Sequence, residues 1–193
     1  MSGPELLTPV AIAGIDHTTL DQTQLAGYRF VDETAFLAST REHFKGVILL
    51  QTCNRVEILV HGTGDALSDY LDGLGRTGFS IYEGKNALRH LLALASGTKS
   101  MIIGEDQILG QMKRAFLLAN ECGTADSVTD LCVNTAIHAG VEIRAATRIN
   151  RGTVSIGSAA VQLAEELLGS LDGRNILVIG GGDMGKLVTQ ELA

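Results

Sequence analysis

The order of short apolar runs in the first half of the chain constrains the fold most. Val10 to Ile15 (VAIAGI) reads as a buried strand, and Asp32 to Phe44 as a short helix with an acidic start. Two β-branched runs, Val47 to Leu50 and Val56 to Val60, then read as strands. Asp65 to Gly75 begins with a capping aspartate, carries Leu67, Leu71 and Leu74, and stops at glycine, which predicts a helix. The stretch FSIYEG, from Phe79, is a short alternating strand. Strand, helix, strand, strand, helix, strand is the order of a split βαβ arrangement on an antiparallel sheet, the ferredoxin-like form of α/β.

From Asn86 the pattern turns helical. NALRHLLALASG and GEDQILGQMKRAFLLANECG are two helices, and SVTDLCVNTAIHAGVEIRAATRIN is a third, long enough to serve as a spine. SIGSAAVQLAEELLGSL is a fourth. The closing stretch DGRNILVIGGGDMGKLVTQELA reads as turn, buried strand (Ile176 to Ile179), glycine loop and helix start. Its Gly180-x-Gly182-x-x-Gly185 follows a strand and opens a helix, the setting of a dinucleotide-binding Rossmann turn. Glycines there let backbone approach a pyrophosphate, and a helix N-terminus offers oriented N–H groups. The alternative is a plain glycine-rich turn. Residues 1–150 are expected to form one domain with the start of the spine. Residues 151–193 are expected to be a linker helix and the first strand, turn and helix of a second, incomplete unit, starting near Leu171.

Bulk properties narrow the class. At 193 residues the chain has room for one ordinary domain or two small ones, and 45% hydrophobic with 19% charged residues is a globular composition. A formal charge of −7 excludes a protein coated in positive potential for nucleic acid. The three cysteines, Cys53, Cys122 and Cys132, have no paired spacing, which suits a reducing compartment. No apolar run approaches the roughly 20 residues that span a bilayer, and MSGPELLTPV lacks the layout of a signal peptide. The expectation is a soluble, cytoplasmic protein.

The connection between the two central runs is chemically odd. Turns favour glycine, proline, asparagine or aspartate, yet here stands Thr52-Cys53-Asn54-Arg55. A lone cytosolic cysteine is most often a small buried hydrophobe, and Cys122 and Cys132, set in helical apolar patterns, fit that reading. Cys53 ends a buried strand among polar neighbours. The guanidinium of Arg55 favours a thiolate and binds carboxylates, and Asn54 orients a carbonyl. That spacing suits a nucleophile attacking an acyl group beside an anionic handle.

With TCNRVEI, the string ALRHLLALASGTKSMIIGEDQILGQMKRAF and RINRGTVSIGSAAVQLA in this order, the chain resembles the glutamyl-tRNA reductases, which begin five-carbon tetrapyrrole synthesis. The resemblance runs from about Ala11 to the end. It implies that Cys53 attacks the ester joining glutamate to tRNA, releasing tRNA and leaving a thioester, and that NADPH then delivers a hydride to give glutamate-1-semialdehyde. It assigns Thr52, Asn54, Arg55, Ser100, Glu105, Asp106, Gln107 and Gln111 to the glutamyl group, and Gly180, Gly181, Gly182, Asp183, Met184 and Gly185 to NADPH. His90 becomes a residue that polarises or protonates near the acyl carbonyl. By their own pattern, His90 is a satisfied histidine at a core edge and Glu105-Asp106 a helix start with acids at the positive dipole end. His17, His43, His61 and His138 show no metal-ligand spacing, and no metal is expected.

The resemblance further implies a homodimer formed through a C-terminal domain absent from this chain, a downstream aminomutase as a partner, and no membrane. Short of that domain and of most of the NADPH domain, the chain is expected to be a fragment without reductase competence alone. Two departures stand out. Ser96-Gly97-Thr98-Lys99-Ser100 replaces the family's Ser-Gly-Leu-Asp-Ser, and EIRAATRIN carries alanines where an acid is common. Arg144, Arg148 and Arg151 recur on one face of a continuing spine, either as a phosphate-binding patch or as an ordinary solvated face. Two rival functions remain: another cysteine-dependent acyl or semialdehyde reductase, or a non-catalytic redox-sensing nucleotide-binding module.

Overall fold

The computed structural model describes residues 9–149 and 156–192. Its four strands are β1 (Val10–Asp16), β2 (Val47–Gln51), β3 (Arg55–His61) and β4 (Ser80–Glu83), and they form one sheet in the order β2-β3-β1-β4. Every neighbouring pair is antiparallel, with β1 and β3 in full register from Val10 opposite His61 to Asp16 opposite Arg55. β1 and β2 therefore run parallel with β3 threaded between them. This is the split βαβ arrangement that the element order predicted.

The apolar runs read as continuous because the sheet is covered on both faces. Val10, Ile12, Ile48, Leu50 and Leu59 point to one side, and Ala11, Ala13, Val47, Leu49, Ile58 and Val60 to the other. Helices α1 (Gln22–Tyr28), α2 (Glu33–Thr40) and α3 (Gly64–Gly73) cover the second face through Leu25, Phe36, Leu37, Leu67 and Leu71. The first face carries α4 (Gly84–Ser96), α5 (Gln107–Glu121) and α6 (Ser127–Thr147), through Leu91, Met112, Val133 and Ile137. Only β4 is largely exposed, and at four residues it makes a short edge.

Local boundaries differ from the sequence reading for identifiable reasons. α1 was not anticipated; a capping box between Asp21 and Gln24 starts it, although only Leu25 is buried. The cap of α3 is Thr63, whose hydroxyl accepts the Ala66 N–H, so Asp65 lies in the first turn. Two further helices, α7 (Ile156–Leu168) and α8 (Asp183–Leu192), pack on each other. The expected buried strand at Ile176 to Ile179 is absent. Those residues pair with no strand among the described residues, and Ile176, Leu177 and Ile179 are exposed. A strand exists only through a partner's ladder, and none of the described segments supplies one. Among the described residues no helix is long and apolar enough to cross a membrane.

The spine is tied to the sheet by Asp126. Its carboxylate caps α6 by accepting the Val128 and Thr129 N–H groups at 3.2 and 2.9 Å, and it also meets His61 Nδ1 at the end of β3. Burial would raise this carboxyl's pKa, but the Thr129 amide, the His61 ring and the Thr129 hydroxyl outweigh it and hold the group below its ordinary value. A carboxyl lowered on folding stabilises fully above its unfolded pKa of about 4 and loses that contribution as the pH falls through the folded value. Asp126→Ala is therefore expected to cost about 1–2 kcal/mol at neutral pH. The gap from the unchanged chain should close in acid. Urea midpoints of both proteins at pH 7 and at pH 3 check this, and a gap that stays constant would remove the charge from the explanation.

Candidate active site

The polar tetrad is itself the turn between β2 and β3. The Thr52 N–H donates to the Arg55 carbonyl at 2.9 Å, and the Asn54 N–H donates to Thr52 Oγ1 at 3.1 Å. The Asn54 carbonyl accepts the His17 N–H at 2.9 Å, which anchors the turn to the end of β1. Closed in this way, the turn needs no glycine or proline, and it presents the Cys53 thiol at the surface. Cys122 and Cys132 are half-buried. Burial, reinforced by the Asp126 charge, pushes the Cys132 thiol's pKa up, away from nucleophilic chemistry.

Below the turn lies a charged network. Arg55 is 2% exposed. Its Nη1 donates to Glu57 Oε1 at 3.2 Å and lies 3.6 Å from Asp16 Oδ2, and its Nη2 donates to the Lys99 carbonyl. The second oxygen of Glu57 is 2.9 Å from His90 Nε2. The His90 ring stacks on Tyr82 with centroids 4.0 Å apart, and Lys99 Nζ stands 5.4 Å from the Tyr82 centroid. Burial would raise the Asp16 pKa, but bonds from the Thr18 hydroxyl and amide and the Arg55 charge hold it down. Burial, with Glu57 and Asp16 nearby, pushes Tyr82 up. The hydroxyl of Tyr82 therefore stays protonated throughout the physiological range.

Arg55 thus bonds the thiol-bearing hairpin to the loop after α4, and this brings Thr52, Arg55, His90 and buried Ser100 into one neighbourhood. That loop begins at Gly97, which ends α4 with φ 83° and leaves room for Arg144: a Cβ there would lie 2.6 Å from Arg144 Nη2. Arg144 in turn donates to the Ala95 and Gly104 carbonyls at 3.3 and 2.7 Å and to Asp106 Oδ1 at 2.9 Å. Asp106 precedes α5 but caps it with no side-chain bond. Glu105 and Gln107 are half-buried beside it. Gln111 lines a surface pocket with Glu33, Gln51 and Arg114, next to the end of β2.

The arginine face proposed from spacing is not there. Arg144 is 5% exposed and used inside the fold, α6 stops at Thr147, and Arg148 adopts φ 55° outside the helix. Arg151 lies outside the described residues. An inward position on α6 and an early helix end dissolve the pattern. At the far end of the chain, Gly180, Gly181 and Gly182 are exposed and α8 starts at Asp183, followed by Met184. Gly185 is required there by a close approach, since a Cβ would collide with the Gly180 carbonyl oxygen. No group of three or more metal-ligating side chains comes together among the described residues.

Asp16, Glu57 and Tyr82 also belong to this network, and residue spacing does not mark them. For Glu57 a signal existed: one acid inside the apolar run VEILV is costly to bury without a partner. Asp16 and Tyr82 carry no such mark, because their partners come from other elements.

Residues 13–147 match the family model described as "Glutamyl-tRNAGlu reductase, N-terminal domain". The chain is 62% identical over 187 residues to a glutamyl-tRNA reductase of Methanocorpusculum labreanum, covering 97% of this chain and 44% of that protein. It is 56% identical over 191 residues to one of Methanoculleus marisnigri, covering 98% and 45%. The solved glutamyl-tRNA reductase from Methanopyrus kandleri superposes with a TM-score of 0.74 at 40% identity, over 96% of this chain and 46% of that one. The chain spans less than half the length of these relatives. It belongs to the glutamyl-tRNA reductase family, with the family's N-terminal domain over residues 13–147.

Proposed function

We propose that this chain carries the acyl-transfer site of a glutamyl-tRNA reductase, the enzyme that opens tetrapyrrole synthesis. The observation that carries the reading is an exposed thiol, Cys53, on a hydrogen-bonded turn whose last residue, Arg55, opens a buried Arg55–Glu57–His90 network. The Cys53 thiolate attacks the carbonyl carbon of the glutamyl ester. The tetrahedral adduct collapses with loss of the ribose oxygen, which takes a proton, and the products are free tRNA and a thioester on Cys53. Thr52, Asn54, Ser100, Glu105, Asp106, Gln107 and Gln111 supply polar contacts to the glutamyl group. Arg55 contributes by holding the hairpin against the Ser100 loop.

The thioester is the better electrophile for reduction, which gives the covalent step its purpose. NADPH supplies the hydride for that reduction. Gly180, Gly181, Gly182, Asp183, Met184 and Gly185 would hold it: the bare glycines, the close approach at Gly185 and the start of α8 fit a pyrophosphate. Residues 1–150 form the acyl-transfer domain in this reading, and 151–193 the start of the cofactor-binding one. The test is incubation with glutamyl-tRNA carrying labelled glutamate, followed by precipitation and alkaline cleavage. Base-labile label on the protein is expected. Label that stays wholly with tRNA over many turnover times would reject the proposal.

A further inference from the structure

We infer that Glu57 is a positioning residue for His90, holding its imidazole as the Nε2–H tautomer so that Nδ1 presents a lone pair to the reacting group. The inference rests on the acyl transfer proposed above and assigns a part of its machinery that spacing did not reveal. An ionised carboxylate only accepts hydrogen bonds, so at 2.9 Å from Glu57 Oε2 the donor must be His90 Nε2–H. The other oxygen accepts from Arg55 Nη1 at 3.2 Å, so both oxygens of the carboxylate face donors. The two oxygens of one buried acid thus join the guanidinium to the imidazole.

The rest of the surroundings keep this orientation. Tyr82 stacks on the imidazole at an interplanar angle of 24°, which opposes rotation of the ring. Glu57 is held on its side by Gly14 of β1, where any Cβ would run into Oε2. Below, Glu57 is the single polar residue lining a cavity among Ile12, Leu50, Leu59, Leu91 and Met112, so its carboxylate gains nothing by turning downward. That leaves His90 Nδ1, which is buried and has no hydrogen-bond partner. Buried nitrogens without partners are rare, and in a histidine whose other nitrogen is fixed this one is the ring's only free acceptor.

The test needs no substrate for its first half. The 193-residue chain is prepared with ¹⁵N-histidine, the His90 signals are assigned by their loss in His90→Phe, and the ring nitrogens are read at neutral pH. The expected pattern is a single neutral ring with a proton on Nε2 and a bare Nδ1. Glu57→Gln, whose amide can present either oxygen or N–H, should convert this to a mixture. Gly14→Ala, which keeps the acid but displaces it, should shift the pattern in the same direction. Covalent glutamyl labelling should fall about tenfold to a hundredfold in Glu57→Gln, in the saturated rate more than in the apparent affinity. An Nδ1–H or doubly protonated His90 in the unchanged chain would overturn the inference even if neither Glu57→Gln nor Gly14→Ala folds. So would a Glu57→Gln protein with the original ring signals and labelling rate. An Nε2–H ring in a chain that never acquires label would instead reject the acyl transfer and leave the positioning of His90 intact.

Discussion

Cys53→Ser is expected to abolish base-labile glutamyl labelling, while Cys122→Ser and Cys132→Ser keep nearly all of it. The three thiols differ in setting. Cys53 is exposed at the apex of a turn pinned by the Thr52–Arg55 and Asn54–His17 backbone bonds. Cys122 follows α5 and Cys132 lies within α6, both half-buried, the latter with its thiol pKa raised. A serine hydroxyl of the same size keeps the turn but is a far weaker nucleophile at neutral pH, so the loss should exceed a hundredfold with little change in stability. Labelled-glutamate transfer and a parallel urea titration measure the two quantities. Label that survives in Cys53→Ser and disappears in Cys132→Ser would move the nucleophile to the spine.

Arg55→Met should produce the largest loss of stability of any single change near the turn. The guanidinium faces Glu57 and Asp16 and the Lys99 carbonyl, with Arg55 and Glu57 almost wholly buried. Removing it leaves two carboxylates without their cation, and breaking such a buried pair costs about 3–5 kcal/mol. In a domain stabilised by roughly 5–15 kcal/mol that is a large share of the total. Adding Glu57→Gln to Arg55→Met should recover part of the loss, because the acid left stranded is then neutral. Arg55→Lys keeps the charge but loses the planar fork that reaches an acid and a carbonyl together, and should fall between. Urea unfolding followed by circular dichroism reads all four proteins. A midpoint for Arg55→Met within about 1 kcal/mol of the unchanged chain would show that the network is solvated and not structural.

Much of the frame was legible in the residues. Val10 to Ile15, Val47 to Leu50 and Val56 to Val60 are β-branched runs whose type follows from composition, and their order around two short helices leaves few topologies. The setting of Cys53 was legible for a similar reason: a turn of two or three residues is a local object, and the polar tetrad marked it as unusual. The helix at Gln22–Tyr28 was missed because it buries one leucine and has no apolar stripe to announce it.

What the sequence determined by itself was the three long strands, most of the helices, their order, and the turn that carries the thiol, since each depends on neighbours within a few positions. Tertiary structure alone decided which side chains meet. Arg144 looked like one member of a basic face, but the crossing of α4 and α6 turns it inward onto Ala95, Gly104 and Asp106. Ile176 to Ile179 looked like a buried strand, but apolar composition gives a segment only the capacity to pair, and a ladder requires a second strand at the right spacing. Glu57 and His90 stand 33 positions apart, and neither one's surroundings in the chain announce the other. They join because β3 lies beside β1, where Gly14 leaves room for a carboxylate, and because α4 packs on that face of the sheet. Electrostatic partnership acts through space over a few ångströms, and only the packed fold sets those distances.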